Sequence, residues 1–123
     1  MTELPRRVEK PWGWELIWAL TDTYAGKLLF VRAGQALSLQ YHERKDESWL
    51  IQSGRARIQL GPVGAVSLAE EEVGPGAAFH YTPRTVHRIT AVEDTTILEV
   101  STPQLDDVVR LEDRYGREGT SSA

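Results

Sequence analysis

Gln40, His42, Glu47 and His87 are the residues of this chain whose types and spacing can do chemistry together. One of only three histidines stands in the stretch SLQYHERKDESW, residues 38–49, between a glutamine and a glutamate. Residues i and i+2 on a strand share a face, so Gln40 and His42 can reach one ion side by side. Glu47 begins the next strand after a four-residue connection, and an antiparallel return brings it back beside His42. His87, in YTPRTVHRIT after a proline-containing turn, is the expected fourth donor from a neighbouring strand. Two imidazoles, a carboxylate and an amide oxygen suit one divalent transition metal: Zn, Mn, Fe, Ni or Co. Positions left open on such an ion are what catalytic metals use for water or substrate. His80 fits no ligand spacing and reads as a structural or surface histidine.

The elements that must position these residues are strands. Period-two alternation runs from Glu15 to Thr102, with turn signals at Ala33-Gly34, Ser53-Gly54, Gly61-Pro62-Val63-Gly64, Gly74-Pro75-Gly76 and Glu93-Asp94. Short strands at that spacing predict an all-β sandwich or barrel. At the end, Leu105, Val108, Val109 and Leu111 lie near helical spacing, which predicts a short C-terminal helix or turn over LDDVVRLEDRYG. The 123 residues read as one domain, with a core over about 10–117 and a flexible tail at 118–123. AVSLA, 65–69, reads as a strand and AEEEV, 69–73, as a solvated turn. If Gln40 and His42 point inward, then Leu37, Leu39 and Tyr41 point outward. An outward apolar row needs a cover, so a homodimer or a wrapped N-terminal segment is expected.

Composition narrows the partners. Net charge is −4 and no basic block stands out, which argues against nucleic acid. There is no cysteine, so neither a disulfide framework nor a cysteine-based zinc site can form. No signal-peptide core and no membrane-length apolar run is visible, and a cytoplasmic protein with no membrane partner is expected. Trp12, Trp14 and Trp18 read as packing or interface anchors. Trp49 shares the alternation of Glu47 and is expected to line the pocket, while Lys45, Tyr81, Arg84 and Arg88 fall near the barrel mouth, where an anion could bind.

With these residues in view, the chain resembles the cupin superfamily. Gly34, five residues, Gln40-Tyr41-His42, four residues, Glu47, six residues and Gly54 reproduce the spacing of the first cupin motif, with Gln40 in place of its first histidine. Gly76, six residues, Pro83, three residues and His87 correspond to the second, with Thr85 and Ala91 departing from its usual glycine and asparagine. More narrowly, the chain resembles the cupin domain of type II mannose-6-phosphate isomerases, which is also the C-terminal part of bifunctional mannose-1-phosphate guanylyltransferases. KPWGWEL, 10–16, is similar to that family's Pro-Trp-Gly segment, and DDVVRLEDRYGR to its closing segment. Lys45 stands where that family has an arginine, which keeps the charge and loses the planar fork.

The resemblance implies a cupin-type double-stranded β-helix, or jelly roll, that binds a metal. Its leading functional implication is a metal-dependent sugar-phosphate isomerase acting on a small polar molecule, with Lys45 and Glu47 as catalytic residues and Trp49, Tyr81, Arg84 and Arg88 against substrate. Two other readings remain: an Fe(II)-dependent dioxygenase-type cupin, and a non-catalytic sugar-binding module.

Overall fold

The computed structural model describes residues 3–121, with side chains through residue 119. Its strands are β1 (Arg6–Lys10), β2 (Gly13–Leu20), β3 (Ala25–Val31), β4 (Leu39–Tyr41), β5 (Glu47–Ser53) and β6 (Ala56–Pro62). They continue as β7 (Ala69–Val73), β8 (Ala78–Tyr81), β9 (Thr85–Ala91), β10 (Thr95–Ser101), β11 (Val108–Glu112) and β12 (Gly119–Ser121). Two antiparallel six-stranded sheets result, ordered β1-β2-β3-β10-β5-β8 and β12-β11-β4-β9-β6-β7. Among the described residues there is no helix, hence none long and apolar enough to cross a membrane. The all-β expectation holds, and the architecture is that of a jelly roll.

Side-chain alternation builds the interior. Leu29, Val31, Ile51 and Ile97 from the first sheet meet Ala56, Ile58, Ile89 and Ala91 from the second in one core cluster. Each point of that alternation must be held in register, and the β5–β6 turn shows how tightly. Gly54 has φ +94°, and a Cβ there would lie 2.2 Å from the carbonyl oxygen of Asp94. Only glycine fits that backbone approach.

Several expectations are corrected. Residues 108–112 form strand β11 against β4, with Val109 paired to Tyr41 and Arg110 to Gln40, where a helix or turn was expected. The apolar set fits both periods there, and the β-branched Val-Val pair beside an open strand edge decides for the strand. Gly119–Ser121, expected as tail, pair with β11; residues 122–123 lie outside the described residues. AEEEV is strand β7, and AVSLA is not a strand. Four exposed residues on an edge strand are how such edges resist pairing with other chains. Leu37 belongs to the core and Leu39 is buried, while Tyr41 is half-buried, so the chain itself covers the first two of the row expected to face outward. The strand that carries it is short, three residues, and the alternation lapses before it.

Candidate metal centre

Cross-strand register sets the ligands side by side. In the second sheet Arg110, Gln40 and His87 stand opposite one another on β11, β4 and β9. In the first, one row runs Ser101, Glu47, Tyr81, and the next runs Lys27, Glu99, Trp49, Phe79. Directly opposed residues share a face, so both rows point between the sheets. The result is a group of three buried ligand atoms, from His42, Glu47 and His87, all within 4.8 Å of one another.

Each histidine is turned by a carbonyl. His42 Nδ1 meets the carbonyl oxygen of Asp107, and His87 Nδ1 lies 2.9 Å from that of Thr85. With Nδ1–H donating to oxygen, both rings present the Nε2 lone pair inward, the arrangement metal-binding histidines use. His42 Nε2 and Glu47 Oε2 are 2.6 Å apart. Yet those two atoms and His87 Nε2 are buried without a hydrogen bond. Orphaned buried polar atoms are costly, and three converging ones of nitrogen-and-oxygen type fit a divalent cation. Gln40 lines the same cavity, its amide oxygen accepting from Ser38 Oγ at 2.7 Å.

Electrostatics prepare the group for a cation. Burial acts to raise the pKa of Glu47, but Lys45, with His42 and His87 behind it, outweighs burial and holds the carboxyl far below the usual range. Burial brings His87 down to about 4, against the opposing pull of Glu47, so the ring is neutral at pH 7. Burial disfavours the charge of Lys45, but Glu99 and Glu47 outweigh it and keep the ammonium protonated. Lys45 Nζ lies 3.3 Å from Glu99 and 3.6 Å from Glu47. Glu99 also accepts from Trp49 Nε1 at 3.0 Å.

The sequence-predicted substrate residues divide. Trp49 and Tyr81 pack behind the site: Tyr81 stacks on His87 at 4.1 Å, and Trp49 meets the same ring edge-on at 5.6 Å. Neither lines the cavity of about 60 Å³ that opens beside the ligands. Arg84 sits in the β8–β9 turn at φ 64°, paired with Glu43 at the surface. Arg88 follows His87 and so faces the other side of β9, toward Gln59 and Glu112. Both arginines therefore stand away from the cavity, Arg84 by its place in the turn and Arg88 by the same alternation that turns His87 inward. His80 pairs with Asp46 at the surface.

Sequence reasoning missed Glu15, Lys27, Glu99, Arg110 and Arg117, all of which line the cavity, as does Lys10. A signal existed. Glu15, Lys27 and Glu99 occupy the inward phase of their strands, between Ile17, Leu29 and Ile97, and a charge on the apolar phase must serve something.

Against this geometry the comparisons with known proteins are specific. The family described as mannose-6-phosphate isomerase, C-terminal, matches residues 1–113. The chain belongs to that family. A mannose-6-phosphate isomerase C-terminal domain is thus a cupin here, built on two antiparallel sheets around a His/Glu group that could hold a metal. Mannose-1-phosphate guanylyltransferase ManC of Salmonella typhimurium is 34% identical over 91% of this chain and 23% of its own length. The chain thus spans about a quarter of the curated relatives it matches first. Among solved structures, the capsular polysaccharide assembling protein CapF of Staphylococcus aureus superposes with TM-score 0.74 at 18% identity, over 91% of this chain and 33% of that one. Bacillus subtilis oxalate decarboxylase, a protein with Mn(II) centres, superposes with TM-score 0.72 at 20% identity, over 85% and 29%. At such identities these likenesses concern the fold.

Proposed function

We propose that this domain is a metal-dependent sugar-phosphate isomerase of the mannose-6-phosphate type, acting in the cytoplasm. The observation that carries the reading is the convergence of His42 Nε2, Glu47 Oε2 and His87 Nε2, each buried and without a hydrogen bond, beside a cavity lined by cations. His42, Glu47 and His87 would hold one divalent ion, with Gln40 beside them. When bound, such an ion supplies Lewis-acid polarisation of a carbonyl oxygen.

The chain's own residues supply the rest. Lys45 keeps its proton and offers it in a hydrogen bond to negative charge developing on a substrate oxygen. Moving a proton between neighbouring carbons needs a base, and the cavity offers two carboxylates besides Glu47. Glu15 is held by Lys27 at 3.1 Å and Lys10 at 3.6 Å. Glu99 shares Lys45 with Glu47, its Oε2 3.3 Å from that ammonium, and so adjoins the ligand group's own cation; Glu99 is the base in this reading.

The test is interconversion of mannose 6-phosphate and fructose 6-phosphate, followed by proton NMR, after separate reconstitution with Zn, Mn, Co, Ni and anaerobic Fe(II). Turnover that needs both metal and His42 supports isomerisation. Silence with a metal demonstrably bound sinks it and favours the sugar-binding module; oxygen uptake confined to Fe(II) favours oxidation.

We also infer a homodimer, through a surface other than the one read from sequence. Leu16, Leu28, Leu98 and Leu50 form an outward row across β2, β3, β10 and β5. Trp18 and Val100 beside it are 52% and 55% exposed. A row of like residues is self-complementary, so a second copy is its natural cover. Sedimentation as a dimer that Leu50→Lys with Val100→Glu converts to monomer supports this, and a monomeric wild type ends it.

A further inference from the structure

The outer face of the first sheet carries a group that the barrel interior does not use, the indole of Trp18. Trp18 is the extra residue of a β-bulge: Ile17 pairs with Lys27 and Ala19 with Gly26, and Trp18 falls between them. Bulges re-aim side chains. Here the indole is swung onto Gly26, where a Cβ would lie 2.9, 2.7 and 3.0 Å from the consecutive ring atoms Cε2, Cζ2 and Cη2. Near-equal distances to three neighbouring atoms mean that the ring lies face-down on that backbone; an edge-on approach would spread them. The opposite face of the ring is turned to solvent, and Trp18 is 52% exposed. A glycine seat thus holds flat an aromatic ring that has no core to enter.

A groove continues from this platform. Gly26 stands opposite Val100, Val100 opposite Ser48 and Ser48 opposite His80, so the outward row runs from the indole across β10, β5 and β8. Beside the row opens a cavity of about 260 Å³ lined by Tyr24, Asp46, Ser48, Val100, Ser101 and Thr102. Tyr24, 54% exposed, lies in the β2–β3 connection, at the same end of the sheet as Trp18. The polar groups are set by their own bonds. His80 Nε2 and Asp46 Oδ1 are 2.8 Å apart. The Asp46 N–H donates to Thr102 Oγ1 at 3.0 Å, which leaves that hydroxyl's own proton for another acceptor. Among the described residues, no lysine or arginine lines this cavity.

We propose that Trp18, Tyr24, Asp46, Ser48 and Thr102 form a site for a neutral saccharide on the outside of the barrel, separate from the His42–Glu47–His87 group. A pyranose has a face of C–H bonds and an edge of hydroxyls. The C–H face matches the electron-rich face of an aromatic ring. The hydroxyl edge needs donors and acceptors together, which the Asp46 carboxylate, the Ser48 and Thr102 hydroxyls and the His80 imidazole supply. A carboxylate with no lysine or arginine beside it disfavours a phosphorylated ligand, so the occupant is uncharged. At about 260 Å³ the cavity falls just short of drug-sized sites, which suits a single sugar ring. The leucine row inferred as a dimer surface lies two residues further along β3, β10 and β5. The groove opens from the margin of that row toward the connections that hold Tyr24, Asp46 and Thr102.

Heteronuclear NMR of the full chain, titrated with methyl α-mannopyranoside, methyl β-glucopyranoside and methyl β-galactopyranoside, tests the site. Methyl glycosides cannot open to a carbonyl, so nothing in this experiment depends on isomerisation. At least one should bind with a millimolar dissociation constant and shift the Trp18 indole N–H with the Gly26 and Ser48 amides. Trp18→Ala and Asp46→Asn should each weaken that binding about tenfold or more. Gly26→Ala, which keeps the indole but lifts it off its seat, should do the same. Leu111→Ala, which removes a similarly exposed apolar side chain from the other sheet, should change nothing. Each variant is read with its melting temperature and its sedimentation. No shift with any of the three glycosides, or undiminished affinity in Trp18→Ala, overturns the site whether or not isomerisation is found. If Trp18→Ala alters sedimentation and leaves glycoside affinity intact, the platform belongs to a second copy of the chain and the saccharide site falls.

Discussion

The two ends of this barrel are made by the same alternation and could hardly differ more. At one end Val31, Ile51, Ala56, Ile58, Ile89, Ala91 and Ile97 meet with at most 2% of each exposed. At the other, two or four residues along β3, β5, β9 and β10, the inward positions are Lys27, Glu47, His87 and Glu99, joined by Arg110 of β11. Burying each large aliphatic side chain contributes roughly 2 kcal/mol. Burying a paired charge contributes little net stability, and losing its partner costs several kcal/mol. The comparison teaches a division of labour. The dry end holds the sheets together so that the charged end can keep groups in an arrangement that stability alone would not select.

Breaking the charged end should give the largest effect. Glu47→Ala should weaken metal binding by more than about a hundredfold, the upper range for groups that only support a ligand. Inductively coupled plasma measurements on gel-filtered protein would read this, and a variant retaining stoichiometric metal would break the comparison. At the dry end, Ile97→Ala should cost about 3 kcal/mol in urea unfolding, with metal bound per folded molecule unchanged. Acid should separate the ends next. The folded chain keeps His87 neutral down to about pH 4, while the unfolded chain protonates it from about 6.5. The stability that this depression contributes is present above pH 6.5 and lost as pH falls toward 4, roughly 3 kcal/mol for the metal-free protein. Glu47, also depressed, adds loss in the same direction below its ordinary range. Glu99→Gln should leave metal in place and, if isomerisation holds, reduce turnover about a hundredfold, or some 2.7 kcal/mol. Arg84→Ala, removing an exposed pair with Glu43, should change stability by less than about 0.5 kcal/mol and the site not at all.

Much of this was legible in residues. Period two and a short turn pointed to His42 beside Glu47. In the structure ligand atoms of these two and His87 lie within 4.8 Å of one another, with Gln40 lining the cavity nearby; that they hold an ion is part of the proposal. The substrate side was less legible. Arg84 and Arg88 are near His87 in sequence, but one lies in a turn and the other on the opposite face. Arg110 and Arg117 come from the far end of the chain, and only the pairing of β11 with β4 brings them in. That pairing was hidden because Val108, Val109 and Leu111 satisfy a helical period as well as a strand. Long-range strand pairing is a property of the whole sheet, and no local window contains it.

Asp107 joins these two stories. Its carboxylate accepts hydrogen bonds from the backbone N–H of Glu43, Arg44 and Lys45, and its carbonyl turns His42. The loop between two ligands is thus tied by a residue more than sixty positions downstream, on the connection from β10 to β11. The aliphatic residues of the dry end come from β3, β5, β6, β9 and β10, all of which end by Ser101, whereas the ligand loop makes three backbone hydrogen bonds with a carboxylate beyond them. The β3–β10 pairing that holds the core spans as great a separation, so both ends of the barrel depend on contacts that no local segment can make. Metal affinity is thereby a gauge of whether the segment around Asp107 has docked on the loop between the ligands, a contact that the apolar core does not report.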